Sequence, residues 1–316
     1  MNAFDASAAT IALSSAAQTV PASIGDIDFE RRFGGIARLY GADGLARFRA
    51  ARVCVIGVGG VGSWVVEALA RSAVGHITMI DLDHLAESNV NRQIHALTDT
   101  LGMAKVTALA LRIAQINPLC SVVQVEDFLS ADNLEALIGA GGYDFIIDAI
   151  DNVRAKTALI AYCRSHRYRL VTIGGAGGQI DPTQITVRDL CRTEQEPMLA
   201  KVRKRLRAEH GFPRGTKNKF GIDAVFSTEP LRFPERQDVD AAMDATVDAT
   251  IDAATDARAV DGAGGPARDG TATGVTGLNC AGFGSAVVVT AAFGLVAAAH
   301  VLRLLAAPPV PADAVR

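Results

Sequence analysis

The stretch VCVIGVGGVGSWVVEALARSAVGHITMIDLD, Val53 to Asp83, decides the architecture. A run rich in Val and Ile ends in glycines at Gly57, Gly59, Gly60 and Gly62, and helical periodicity follows over 61–74. That order reads as a buried parallel strand, a tight turn and a helix. Glycines let the backbone turn sharply and approach phosphate closely. The helix start adds unpaired N–H groups and a positive dipole end. HITMIDLD (76–83) reads as the next strand, and Asp81 at its end is placed to accept hydrogen bonds from ribose hydroxyls.

The same alternation extends outward. Residues 28–50 read as short helical pieces entering the first strand. Further strands are predicted over 121–128, 143–151 and 169–178, and helices over 102–116, 131–140 and 153–166, the first of these stopped by Asn117-Pro118. The spacing predicts an α/β fold: a doubly wound, mainly parallel Rossmann-like sheet with a C-terminal strand/helix extension. Such sheets bind ligands at the carboxyl ends of their strands, where Asp81, Asp83, Asp148, Asp151 and Gly174 to Gly178 fall. Beyond them come strand-like stretches at 185–190 and 224–229, with a basic helix over 194–210 between them.

The 316 residues suffice for one large or two smaller domains, and an apolar share of 49% supplies a sizeable core. A net charge of -3 by itself points to neither a nucleic-acid binder nor an acidic shell. The five cysteines form no C-x-x-C pair, so no zinc site is expected, and their scatter suits a reducing, cytoplasmic setting. Residues 1–27, which lack a basic leader, read as a disordered extension. Residues 28–190 form the nucleotide-binding domain and 191–234 a basic substrate segment. Residues 235–273 are an acidic low-complexity insert, with Asp240, Asp244, Asp248, Asp252 and Asp256 at every fourth position. Residues 274–316 complete the domain with an apolar helix. Its stretch FGSAVVVTAAFGLVAAAHVLRLL (283–305) matches the length of a membrane span. Its small residues and internal His300 favour a buried helix, in the core or at a dimer interface, over membrane contact.

SNVNRQ (Ser88 to Gln93) and Lys105 bear on which nucleotide binds. The two phosphates of NAD are already engaged by a glycine loop. A triphosphate needs cations around its outer phosphates, and Arg92 and Lys105 supply a fork and a point charge. Asp151 is placed to hold the Mg²⁺ that bridges those phosphates.

The order GVGGVG … DLD … SNVNRQ … K … DAIDN resembles the E1-like adenylating enzymes, which use ATP to put AMP on a carboxylate. The resemblance covers residues 28–190. It implies that the glycine loop, Asp81, Ser88, Asn89, Val90, Asn91, Arg92, Lys105, Asp151 and Asn152 contact ATP, with Asp151 also serving the metal. RRFGGIARLYG (31–41), NRQIHAL (91–97), GGAGGQIDPTQI (174–185), FSTEP (226–230) and NCAGFGSA (279–286) narrow the likeness. They are similar to the tRNA threonylcarbamoyladenosine dehydratases, a likeness that leaves out only the N-terminal tail and the acidic insert. The zinc cysteine pairs of the ubiquitin-like activators are missing. So is the N-terminal arginine that reaches a neighbouring subunit's ATP: Gly35 stands there, with Arg32 and Arg38 as the two replacements at hand. Relatives imply a homodimer, and some dock a sulfur-transfer protein.

That family closes the threonylcarbamoyl group on adenosine-37 of tRNA into a ring. Adenylation turns a poor electrophile, the free carboxylate, into a mixed anhydride with AMP as leaving group. A nucleophile within the same modified base then closes the ring, so no enzyme nucleophile is required. The catalytic roles fall to Arg92, Lys105 and Asp151. A covalent route would instead use Cys191 or Cys280. Residues 201–219 carry eight Lys/Arg and one acid. Lys201, Arg203, Lys204, Arg205 and Arg207 are the expected tRNA contacts.

Three other functions compete. An activator of a small ubiquitin-like or sulfur-carrier protein would share the adenylating core but not the basic segment. A nicotinamide oxidoreductase would leave SNVNRQ, Lys105 and Asp151 idle. A non-enzymatic tRNA or membrane scaffold would use only the basic segment and the last helix.

Overall fold

The β1 strand, Arg52–Ile56, buries Val53 and Val55 on one face and Cys54 and Ile56 on the other. Burial on both faces is what a central parallel strand requires. In this computed structural model, which describes residues 27–139, 141–233 and 283–308, β1 lies inside a seven-stranded sheet. The strand order is β3-β2-β1-β4-β5-β7-β6. The others are β2 (His76–Ile80), β3 (Ser121–Val125), β4 (Phe145–Asp148), β5 (Leu170–Ile173), β6 (Ile185–Asp189) and β7 (Asp223–Ser227). All pairs are parallel except β6 with β7. The two C-terminal strands therefore join the main sheet rather than forming a separate layer.

Helices cover both faces. One side carries α1 (Phe29–Tyr40), α2 (Ala42–Ala50), α3 (Gly62–Arg71), α4 (Lys105–Ile116) and α7 (Val287–Ala306). The other carries α5 (Val153–Ser165) and α6 (Pro197–Glu209). Local chemistry sets their ends. The Asp28 carboxylate caps α1 by accepting from Arg31 N (2.9 Å). Asn152 caps α5 by accepting from Arg154 N and Ala155 N. Asn117 closes α4 and donates its amide to Val74 O (3.2 Å). Pro197 sits in the first turn of α6, so this helix starts three residues later than its charge pattern suggests.

The expected helix over 131–140 does not form. Only a single wide turn, Glu135–Gly139, is present among the described residues of that stretch. Asn133 binds Ser130 N and Phe128 O instead of propagating a helix, and Gly139, Gly141 and Gly142 remove helix propensity on its far side. The strands are also shorter than their apolar runs, because their last residues turn into the loops that carry the polar groups.

The last helix is long and apolar enough to cross a membrane, yet it lies against α3 and α2. Val289, Phe293, Ala297, Val301 and Leu302 face the core, while Val287, Val288 and Leu295 stay exposed. It is thus half-buried rather than enclosed. Gly294 permits the approach: a Cβ there would lie 2.6 Å from Val61 O and 2.8 Å from Trp64 Cβ. The N-terminal extension up to residue 26, the acidic insert, Cys280 and residues 274–282 fall outside the described residues.

Replacing Gly294 by Ala is expected to lower stability by about 1–3 kcal/mol through overpacking against α3. Urea unfolding followed by far-UV circular dichroism measures it.

Candidate functional site

The strand order reverses between β1 and β4, and the crevice above that reversal is where open α/β sheets take ligands. The glycine turn after β1 lines it. Gly57 has φ +79°, and a Cβ there would meet Ala149 O at 2.9 Å. At Gly62 a Cβ would lie 1.9 Å from Gly57 O, so no other residue fits. These two glycines serve the chain's own turn. Gly59 and Gly60 differ: their missing side chains leave space before Gln93 and Arg92, with contacts of 3.8 and 3.2 Å. They are the pair that keeps the loop open to a ligand.

Asp81 holds the turn from the next strand. Its carboxylate accepts from Val58 N (2.7 Å) and Asp83 N (2.9 Å). Burial raises its pKa above the ordinary carboxylate value, against the opposing pull of Lys105 and the two amides. Lys105 is buried, with its ammonium 2.5 Å from Asp83 Oδ2 and 4.0 Å from Asp81 Oδ1. The two carboxylates thus hold it at the crevice.

The SNVNRQ segment wraps the front. Asn89 is buried and caps its own turn, accepting from Ala86 N. Arg92 lies across Gly60, its guanidinium donating to Ser88 O (2.6 Å) and Asn91 Oδ1 (3.0 Å). Trp64 Nε1 donates to Arg92 O, which fixes the segment to α3. Ser88, Val90 and Asn91 are exposed, and Asn91 donates to Ser285 O (2.8 Å).

The two acids of DAIDN part ways. Asp148 is fully buried and pairs with fully buried Lys156 at 2.8 Å. Lys156 also donates to Thr172 Oγ1 and Ile173 O, and Asp148 accepts from Thr172 Oγ1 and Ile150 N. Asp148 is therefore spent inside the fold, not on a ligand. Lys156 went unread in the sequence because its helical position looks like any surface lysine. Asp151, three residues on, is exposed beside the crevice, and neighbouring Asn152 is occupied as a helix cap. Glu196 was also missed. Its carboxylate accepts from Gly175 N (2.8 Å) and from Leu199 N, so it braces the second glycine stretch, and burial raises its pKa.

The basic segment divides likewise. Arg203 bonds to Thr193, Arg207 donates to Pro213 O and stacks over Phe220, and Arg205 pairs with Glu209. Lys201 and Lys204 are exposed with no such partner among the described residues, as are Lys217 and Lys219. Cys191 is buried at the strand edge opposite the glycine turn, where its thiol donates to Thr216 O, and burial pushes its pKa up. Arg32 is engaged with Gln115 O and Ile116 O at the end of α4, while Arg38 is exposed on α1.

Comparison with known proteins gives a coherent result. The ThiF family matches residues 33–314. The tRNA threonylcarbamoyladenosine dehydratase of Escherichia coli (strain K12) is 49% identical over 280 residues, covering 88% of this chain and 95% of that protein. That of Haemophilus influenzae is 46% identical, with 88% and 94% covered. The solved Escherichia coli dehydratase in complex with ATP superposes with a TM-score of 0.71 at 46% identity, covering 87% of this chain and 94% of that one.

Behind the crevice, His95 is buried and neither ring nitrogen has a partner among the described residues. Burial, then Lys105 and Arg112, push its pKa down to about 3. The folded state therefore holds it neutral while the unfolded chain takes up a proton near its ordinary value of 6.5. Its stabilising contribution is complete above that pH and declines as the pH falls toward about 3. A His95→Leu variant should show a flatter stability profile over that window, read by urea midpoints at stepwise pH.

Proposed function

Since the chain belongs to the ThiF family, we infer that it is an ATP-using adenylating enzyme that dehydrates threonylcarbamoyladenosine in tRNA. The carrying observation is the crevice at the strand reversal, where an open glycine turn meets Arg92 and a buried lysine. A nicotinamide enzyme has no use for those two cations beside its phosphates.

The reaction has two steps. A carboxylate oxygen of the threonylcarbamoyl group attacks the α-phosphorus of ATP, and pyrophosphate leaves. A nucleophile of the same modified base then attacks the acyl carbon. AMP departs with that carboxylate oxygen, and the net change is loss of one water. The protein contributes position and charge. The amides around Gly59 and Gly60 face the phosphates, and Asp81, which carries the turn, faces the ribose. Ser88, Asn89, Val90, Asn91 and Asn152 shape the walls. Arg92 and Lys105 neutralise the charge that builds during attack. Lys105 does so by sharing its proton-rich end between Asp83 and the nucleotide.

An exposed carboxylate that no neighbour occupies suits Mg²⁺, which takes one or two carboxylates along with phosphate oxygens and water. Asp151 meets that description and would hold the ion, which supplies charge neutralisation to the departing pyrophosphate. No thiol step is needed, and Cys191 is at the wrong edge for one.

Lys201 and Lys204 are the α6 residues available to RNA phosphates. Arg203, Arg205 and Arg207 act through the fold. The apolar groove between α4 and β3, with Leu111, Ala114 and Val122, supports a homodimer. The substrate places the chain with the cytoplasmic tRNA pool.

Lys105→Ala and Asp151→Ala should each lower ATP–pyrophosphate exchange, measured with modified tRNA, about 100-fold or more. Exchange at the wild-type rate would overturn both assignments. The double variant Lys201→Ala/Lys204→Ala should raise the KM for tRNA with ATP affinity unchanged. It should also reduce the salt slope of RNA binding by about 2. An unaltered slope would remove α6 from the RNA interface.

A further inference from the structure

The second glycine stretch, Gly174 to Gly178, follows β5, two strands from the turn after β1, with the Asp151 loop between them. Two strand spacings amount to about 10 Å along the same edge. A hydrogen-bonded path also joins the two stretches. Asn91, in the SNVNRQ segment, donates to Ser285 O, and Gly284 O accepts from Gly178 N (3.0 Å). Gly178 has φ +72° and lies under Phe283, whose ring carbon would be 3.3 Å from a Cβ there. Arg232 N closes the stretch by donating to Gly178 O (2.8 Å).

Three features at or beside this stretch are left open to a ligand. Gln179 is 3% exposed, yet among the described residues its Oε1 has no partner, and its amide makes a long 3.5 Å contact to Gly175 O. A buried acceptor left in that state calls for a donor from outside. Phe233 is 74% exposed and tilts against Phe283 at 5.3 Å between ring centroids. The Arg232 side chain beside it is 64% exposed and pairs with Glu229. An exposed aromatic ring backed by a half-buried one, with a neighbouring guanidinium, matches the stacking surfaces that hold unpaired RNA bases.

We propose that this stretch is the subsite for the modified nucleotide: Gln179 accepts from a ureido N–H of the threonylcarbamoyl arm, and Phe233 stacks on a base of the same unpaired RNA loop. The ureido group fits because it offers N–H donors, which the carboxylate at the end of the arm does not. The arm then points along the sheet edge toward the α-phosphate and Asp151. The inference rests on the dehydratase reading and names where its RNA substrate sits.

The test uses the full chain, with tRNA carrying threonylcarbamoyladenosine and the same tRNA without the modification. Gln179→Met keeps the side-chain volume and removes both polar atoms. It is expected to weaken the modified tRNA about tenfold and leave the unmodified tRNA within about twofold. Phe233→Ala should weaken both RNAs about tenfold, with Phe233→Trp restoring them. ATP affinity by calorimetry should hold in all three variants. If Gln179→Met fails to discriminate between the RNAs, or lowers ATP affinity in parallel, the ureido contact is refuted. If Phe233→Ala leaves both RNAs unchanged, the stacking surface is refuted. A wild-type chain that yields no cyclised nucleoside from modified tRNA and ATP would instead refute the dehydratase reading itself.

Discussion

A very close backbone approach at the glycine turn organises the chemistry of the molecule. At Gly62 a methyl group would overlap Gly57 O, and at Gly57 it would press on Ala149 O. Absence of side chains at both points lets α3 begin directly above β1 and lets the β4 loop lie against the turn. The same end of α3 then receives α7, because Gly294 admits Val61 O. One chain of three glycines thus connects the ligand crevice to the last helix. A substituent at any of them would move backbone rather than a flexible tip. That explains why a helix composed for a membrane can serve as a structural wall: its small residues allow contact at backbone distance, and backbone distance is what the crevice needs.

Charge is handled by the same economy of position. Three ionic clusters lie in or under the crevice: Asp148 with Lys156, Asp81 and Asp83 with Lys105, and Glu67 with Arg71 and Arg112. Burying ions is costly, and a hydrophobic replacement is often equal or better for stability alone. Their shared location argues for positioning instead. Asp148 and Lys156 join the ends of β4 and β5 and leave Asp151 exposed between them. For Glu67, burial raises the pKa, but the hydrogen bonds from Arg112 and Arg71 outweigh it and the pKa falls. The first two clusters fix loops whose outer residues remain available, and the third ties α3 to α4.

Much of this was legible in the sequence where the signal is local. The continuous Val/Ile run of β1, the glycine spacing and the acid ending β2 are properties of adjacent residues, and they are enough for the fold. Signals between distant residues were not legible. Nothing beside Arg207 in the chain announces its packing on Phe220 or its bond to Pro213 O, and nothing beside Arg203 announces its bond to Thr193. Lys156 reads as a helix-surface lysine because nothing near it in the chain announces a fully buried place. The 131–140 segment failed for the opposite reason. Its apolar spacing is helical, but ten residues with glycines at the C-terminal end and an Asn that prefers its own turn do not repay helix nucleation.

The proposed placement of both reactants at one end of the sheet would have a kinetic consequence. Strand spacing is nearly invariant, because it is set by backbone hydrogen bonds. Loops anchored at the ends of β1, β4 and β5 therefore keep a constant separation even when their own residues vary. In the proposed arrangement a substrate arm held after β5 and a nucleotide held after β1 would meet over β4, where Asp151 stands. Attack between groups so fixed gains from proximity without a covalent intermediate on the protein. That accounts for a chain whose only described cysteine beyond the nucleotide half, Cys191, is buried at the opposite edge. Under the proposed reaction a nucleophile of the enzyme's own would be superfluous, because the substrate carries both the electrophile to be activated and the group that will attack it.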